Sequence, residues 1–155
     1  MILEPLYVTG LVEGEGCFCV SFSLRERLKM KIETRPSFFV SLNQADLPLL
    51  KKLHAFFNCG AIRYSNTDRT YKYEVRSVSE LMRIIIPHFK KYSLHGKKLN
   101  DFKLFEEICK TIHANLHMNA KHLVEIIEKA YLMNPSGKRK YEKRDLLKVI
   151  DEIMV

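Results

Sequence analysis

Two carboxylates separated by glycine, Glu13-Gly14-Glu15-Gly16, are the residues of this chain whose types and spacing most suggest chemistry. A short helical pattern precedes them, so both acids fall at a helix carboxyl end, where the helix dipole disfavours each anion by about 0.3–1 kcal/mol. The glycines let the backbone take unusual φ values and approach something closely. A local rule broken in this way marks a feature placed for a purpose. A divalent cation relieves the conflict: hard carboxylate oxygens suit Mg²⁺, which takes one or two protein carboxylates and fills its other positions with water and phosphate. Mn²⁺ or Ca²⁺ fits the same oxygens. A solvated glycine-rich helix stop whose acids do nothing is the plain alternative. The small residues Thr9 and Gly10, just before the acids, would let a second helix come close. His113 and His117 stand at i, i+4 with His122 nearby, but no acid of the HExxH kind accompanies them, and a surface or core helix is the better reading.

The elements that must hold these residues follow from periodicity. Leu3, Leu6, Tyr7 and Leu11 recur at helical spacing and predict a helix from about Pro5 to Val12, stopped by the glycines. From Cys17 the period becomes two: Phe18, Val20, Phe22 and Leu24 alternate with Cys19, Ser21, Ser23 and Arg25, a half-buried strand. A second strand is expected over Arg35 to Asn43, paired with the first as a hairpin. Asp46 can cap a helix carrying Leu47, Leu50, Leu53 and Phe57. A second hairpin spans Gly60 to Ser65 and Thr70 to Ser77, and a helix after it should break near Pro87. Further amphipathic helices use Phe102, Phe105 and Cys109, then Leu123, Ile126 and Ile127, then Leu146 and Ile150. The order reads as α+β, one antiparallel sheet covered on one face by helices. The chain is expected to form a single domain over 1–155, with a core at about 5–115 and a helical C-terminal extension over 116–155.

Composition bounds the function. In 155 residues, 26 Lys and Arg face 18 Asp and Glu, for a formal net charge of +8, which points to a polyanionic partner, nucleic acid ahead of an acidic membrane surface. The four cysteines form neither a CxxC pair nor a repeated spacing, so no zinc ribbon or disulfide framework is indicated and a reducing, intracellular setting is expected. No signal peptide or membrane span is expected. The run Lys138 to Arg144 reads equally as a solvated charge run or a phosphate-contacting patch.

The stretch Tyr7-Val8-Thr9-Gly10-Leu11-Val12-Glu13-Gly14-Glu15-Gly16-Cys17-Phe18 resembles the signature of the LAGLIDADG homing endonucleases, with Val8 to Gly16 at its nine positions. The helix and hairpin order resembles that family's αββαββα core, and Ser93-Leu94-His95-Gly96-Lys97-Lys98-Leu99-Asn100-Asp101-Phe102 is similar to its basic loop opening a late helix. The resemblance implies that the first helix pairs with its counterpart at a two-fold interface, through Tyr7, Thr9, Gly10, Leu11 and Glu13. It implies that Glu15, where relatives often carry Asp, binds metal beside the scissile phosphate with the Gly14 carbonyl as a further ligand. Glu13 then reads as a structural acid. Lys97 and Lys98 are the candidates for polarising the phosphate or positioning water, with the choice between them open. Gln44 resembles the position of a water-organising residue, and Pro48 stands where some relatives hold an arginine. With a single motif in the chain, a homodimer follows, and the gene would lie in an intron or intein of an organelle, bacterium or archaeon.

On that reading the strand faces turned away from the helices meet duplex DNA: Cys19, Ser21, Ser23, Arg25, Arg27, Arg35, Ser37, Phe39, Ser41, Arg63, Ser65, Lys72, Glu74 and Arg76. An ordinary polar sheet face is the alternative. The expected activity is a site-specific, Mg²⁺-dependent double-strand cut in a long pseudo-palindromic target. The alternative is an intron RNA maturase or a DNA-binding protein without cleavage on the same fold.

Overall fold

The computed structural model of the protein describes all 155 residues. Its elements run α1 (Pro5–Glu15), β1 (Gly16–Leu24), β2 (Ile32–Asn43), α2 (Leu47–Phe57), β3 (Ala61–Ser65), β4 (Thr70–Val75), α3 (Val78–Glu80), α4 (Ile86–Lys91), α5 (Lys98–His113), α6 (Ala120–Ala130) and α7 (Lys143–Met154). The strands form one sheet in the order β1-β2-β4-β3, with β4 antiparallel to both β2 and β3. This is the expected α+β class and αββαββα order. No helix is long and apolar enough to cross a membrane. The chain divides into two compact units. One comprises Met1–Phe18 with Ser37–Leu99, the other Cys19–Pro36 with Asn100–Val155.

The first unit is built on an aromatic cluster. Phe38, fully buried, meets Phe18 at 5.2 Å, Phe89 at 5.7 Å, Phe57 at 5.9 Å and Tyr73 at 6.4 Å between ring centroids. Period-two alternation puts Phe38, Val40 and Leu42 on one face, and the register Phe38↔Val75, Val40↔Tyr73 sets the inward residues of β2 and β4 side by side. Asn58, in the left-handed region, ends α2. Gly60, at φ +80, lies where a Cβ would stand 2.5 Å from the Glu74 carbonyl.

In the second unit, the turn after β1 closes through Arg25 N–H donating to Lys31 O at 2.9 Å, with Lys31 at φ 58. Phe102, Phe105, Ile108, Cys109 and Ile112 of α5, Leu123, Ile126 and Ile127 of α6, and Leu146 and Ile150 of α7 fill its interior. Asn119 caps α6, its side chain accepting from Lys121 N and His122 N.

Five local expectations are corrected. α1 does not stop at Val12; it runs through Glu15, since an interior glycine costs about 1 kcal/mol against alanine without breaking a helix. Gly14 is helical and Gly16 extended, at φ −87, so neither takes an unusual φ. The change to strand comes at Gly16, where a Cβ would meet Val12 Cγ1 at 2.6 Å. Pro87 does not break its helix: a π turn at Leu81–Ile85 precedes it, the widened turn accommodating the ring and the missing N–H. β2 begins at Ile32, three residues before the expected Arg35, and carries Pro36 within it. Leu24, expected inward, is 43% exposed at the strand end.

Candidate active site

α1 is apolar on two sides. Val8 and Val12 are fully buried in their unit, while Leu6 is 70% and Tyr7 50% exposed on the other side. A Cβ built on Gly10 or Gly14 would meet nothing within 4 Å. The helix therefore presents an exposed apolar stripe with a smooth, small-residue centre, a surface that a second helix could approach closely. Leu11 is half-buried.

Thr9 does not belong to that stripe. It is buried, its hydroxyl donating to Tyr92 O at 2.9 Å, so its oxygen accepts from His88 Nε2 at 3.1 Å and fixes the Nε2–H tautomer. Burial holds His88 down at about 4, which keeps the ring neutral near pH 7. Thr9 is thus an internal fastening of α1.

Glu13 also turns inward. Its Oε1 accepts from the backbone N–H groups of His95, at 2.5 Å, and Gly96, at 3.1 Å. A Cβ on Gly96 would stand 3.3 Å from Glu13 Oε2, so the glycine allows the close approach. Glu13 anchors the loop before α5 to its own α1, the work of a structural acid. That anchoring sets Lys98, the first residue of α5, against the end of α1: its ammonium donates to Val12 O at 2.8 Å and Glu13 O at 3.1 Å. A cation on the last carbonyls offsets the negative helix end. Lys97, the other candidate, is exposed. Of the two, Lys98 is the lysine held at the carboxyl end that carries Glu15.

Glu15 is the last residue of α1 and is exposed. No group of three or more His, Cys, Asp or Glu side chains in the chain could hold a metal ion. Glu15 supplies one hard carboxylate, and the donor type fits Mg²⁺, for which one or two protein carboxylates with water and phosphate suffice. Gln44 opens the 3₁₀ turn Gln44–Asp46, exposed, its Oε1 accepting from Tyr64 OH at 3.4 Å.

The sheet face away from the helices differs from expectation at two places in the first unit. The register Phe39↔Glu74 and Ser41↔Lys72 confirms which residues share it. Ser37 and Glu74, however, are 6% and 9% exposed. Ser37 Oγ donates to Glu74 Oε2 at 2.6 Å, and Arg76 Nε pairs with Oε1 at 3.0 Å, with Arg63 at 3.8 Å. Burial pushes the Glu74 carboxyl up, but the bonds from Ser37 and Arg76 with the charges of Arg76 and Lys72 outweigh it and hold it below the usual range. A buried acid beneath two arginines orients them. Lys72 lies 4.0 Å from the centre of the Phe39 ring. Ser65 Oγ stands 3.5 Å from Thr67 Oγ1.

In the second unit, Cys19, Ser21 and Ser23 alternate with buried Val20 and Phe22, as expected. Arg25 and Arg35 both pair with Glu33, at 3.1 and 3.2 Å, and Arg27 is exposed. The Arg35 hydrogen bond, with both guanidinium charges, holds the Glu33 carboxyl below its usual range. His113, His117 and His122 form no clamp: His117 lies in the turn Leu116–Met118, and His122 stands 3.6 Å from Glu125. No disulfide joins the cysteines. Sequence reasoning missed the backbone cradle of Glu13 and the His88 and Tyr92 partners of Thr9. Neither backbone donors nor contacts across about eighty residues leave a spacing signal.

The LAGLIDADG endonuclease profile matches residues 8–109. A probable intron-encoded endonuclease 2 of Neurospora crassa is 33% identical over 133 residues, covering 85% of this chain and 29% of that protein. The crystal structure of the homing endonuclease I-TnaI superposes with a TM-score of 0.85 at 32% identity, covering 99% of each chain. I-SmaMI, a LAGLIDADG homing endonuclease solved bound to cleaved DNA, superposes with a TM-score of 0.87 at 30% identity, over 97% of this chain and 49% of that one. It has also been solved on its uncleaved DNA target in the presence of calcium ions. The chain thus spans less than a third of the Neurospora protein and about half of I-SmaMI. With its motif helix, sheet order and profile match in agreement, the chain belongs to the LAGLIDADG endonuclease family.

Proposed function

We propose that this chain acts as a homodimeric, site-specific DNA endonuclease that cuts both strands of a long, nearly palindromic duplex by Mg²⁺-dependent phosphodiester hydrolysis. The observation that carries the reading is the end of α1: an exposed Glu15 beside a lysine-capped helix terminus, on a helix whose opposite side is exposed, apolar and small. Two such helices in contact bring two Glu15 carboxylates together, one for each strand. Glu15 and the Gly14 carbonyl are the oxygens that would hold the cation. A cation bound there supplies charge neutralisation at the phosphoryl oxygens and a more acidic water.

The remaining residues act on substrate. Lys98 neutralises the carboxyl end of α1 and faces the attacked phosphate, and Gln44, braced by Tyr64, orders water. Arg76 and Arg63, steadied by Glu74, read base edges or phosphates, and Cys19, Ser21 and Ser23 offer small groups to the groove. The DNA-bound state of I-SmaMI supports duplex DNA as the partner. The net charge of +8 favours the same polyanion.

Cleavage selection on a randomised duplex library, with Mg²⁺ and with chelator, tests the reading. One near-palindromic site should emerge, cut only with metal, by a protein that sediments as a dimer. Failure to enrich any site, or cutting that ignores chelation, would overturn it.

A further inference from the structure

Within the basic run Lys138 to Arg144 the cations do different work: Lys138 and Lys140 are exposed, while three others have partners in the chain. Lys143 pairs with Glu128 at 3.0 Å, and Arg144 pairs with Glu142 at 2.8 Å. Arg139 is turned into its own unit. Its guanidinium donates from one terminal nitrogen to Val20 O at 2.7 Å and from the other to Ala130 O, the carbonyl at the end of α6. Its plane lies over the Tyr131 ring at 4.5 Å. Tyr131 stacks on Phe22, with 6.3 Å between centroids and 17° between planes, and its hydroxyl donates to Tyr141 O at 2.5 Å.

These contacts converge on one place. β1 is an outer strand of the sheet, with a strand neighbour on one side alone. Outer strands are the positions at which a sheet is free to fray, slide or twist. Arg139 holds the backbone at Val20, and Tyr131 holds the side chain of Phe22. Ser21, between them, points to the opposite face with Cys19 and Ser23. A planar fork with fixed donor geometry locks two carbonyls in a way that a single ammonium cannot.

Resting on the reading of this face as the DNA-contacting one, we propose that Arg139 is a positioning residue for sequence recognition: by clamping β1 to the end of α6, it sets where Cys19, Ser21 and Ser23 meet the bases. Arg139, within the basic run, is then a clasp for the recognition strand and not a phosphate contact. Base edges distinguish partners over less than an ångström, so a strand free to shift loses discrimination before it loses affinity.

The test is a cleavage profile over all single-base variants of the selected site, run for the wild type, Arg139→Ala, Arg139→Lys and the pair Lys138→Ala with Lys140→Ala. Discrimination should fall by at least about fivefold at the base pairs facing β1 in both Arg139 variants, with the pairs facing Arg63 and Arg76 unchanged. Lysine should not rescue, and the Lys138 and Lys140 variant should keep the wild-type profile. A uniform loss across all sequences, with a smaller salt slope and full rescue by lysine, would make Arg139 a phosphate contact and overturn the proposal. A lower melting temperature with an unaltered base ranking would reduce it to a stability role, again overturning it. Should Arg139→Ala not fold, the lysine variant decides alone. A wild type that selects no site refutes the endonuclease reading instead, so the two failures are distinguishable.

Discussion

Glu13 and Glu15 carry the same group two positions apart and do opposite work. Glu13 is spent on two backbone N–H groups, while Glu15 is exposed. Replacing Glu13 by alanine leaves the His95 and Gly96 donors without their acceptor and frees the loop that carries Lys98. Because those donors are exposed and water can replace the carboxylate, stability should drop by about 0.5–1.5 kcal/mol in chemical denaturation, and cleavage should fall with it. Unchanged values for both would show that the anchor is idle. Glu74 is a parallel case on the sheet. Its loss to alanine leaves Ser37 and Arg76 unsatisfied and should cost about 1–3 kcal/mol. His88 gives the pH dependence. Its folded value of about 4 lies below the ordinary 6.5, so between these values the unfolded chain binds a proton that the folded chain does not. Stability should therefore fall as pH drops from 6.5 towards 4. Glu74, held low, adds its own loss only as pH falls through the carboxylate range. His88→Gln should flatten the upper part of that profile, and an unaltered slope would remove His88 as its cause.

Secondary elements explain what could be read from the sequence and what could not. Strict alternation in β1 and β2 sorted inward from outward residues, because a side-chain period of two has no other solution when one face is buried. The same alternation placed Ser37 and Glu74 on the outward face and missed that they bury each other there, since a polar pair across strands hides in a pattern that counts only apolar residues. α1 was legible as a helix but not in its length. Its two glycines look like a stop, and only the packing of Gly16 on Val12 shows which one ends it. The stripe Leu3, Leu6, Tyr7 and Leu11 marked the helix, yet Val8, Val12 and Thr9 face the interior, because a helix apolar on both sides has no single preferred face. Gly10→Leu and Gly16→Ala separate these roles. The first has open space in its own chain, so it should preserve the fold and weaken self-association in sedimentation. The second forces a Cβ onto Val12 and should destabilise by about 1–3 kcal/mol. A Gly10→Leu protein that still associates like the wild type would remove this face from the interface.

At the scale of the molecule, the proposed function gives a chain of +8 net charge with an exposed Glu15 two needs, a polyanion to bind and a second copy of its own helix. The αββαββα order, legible from periodicity and the nine-residue motif, sets that acid at the end of a helix whose other side is free to pair. The direct measurement is cleavage of the selected duplex by Glu15→Gln in Mg²⁺, alongside its affinity for the same duplex. Cutting should fall by at least about 10²–10³-fold while binding stays within a few-fold of wild type. Glu15→Gln protein that cuts both strands at the wild-type rate would contradict the assignment of Glu15 and, with it, the pairing of α1 that brings two such carboxylates to one duplex.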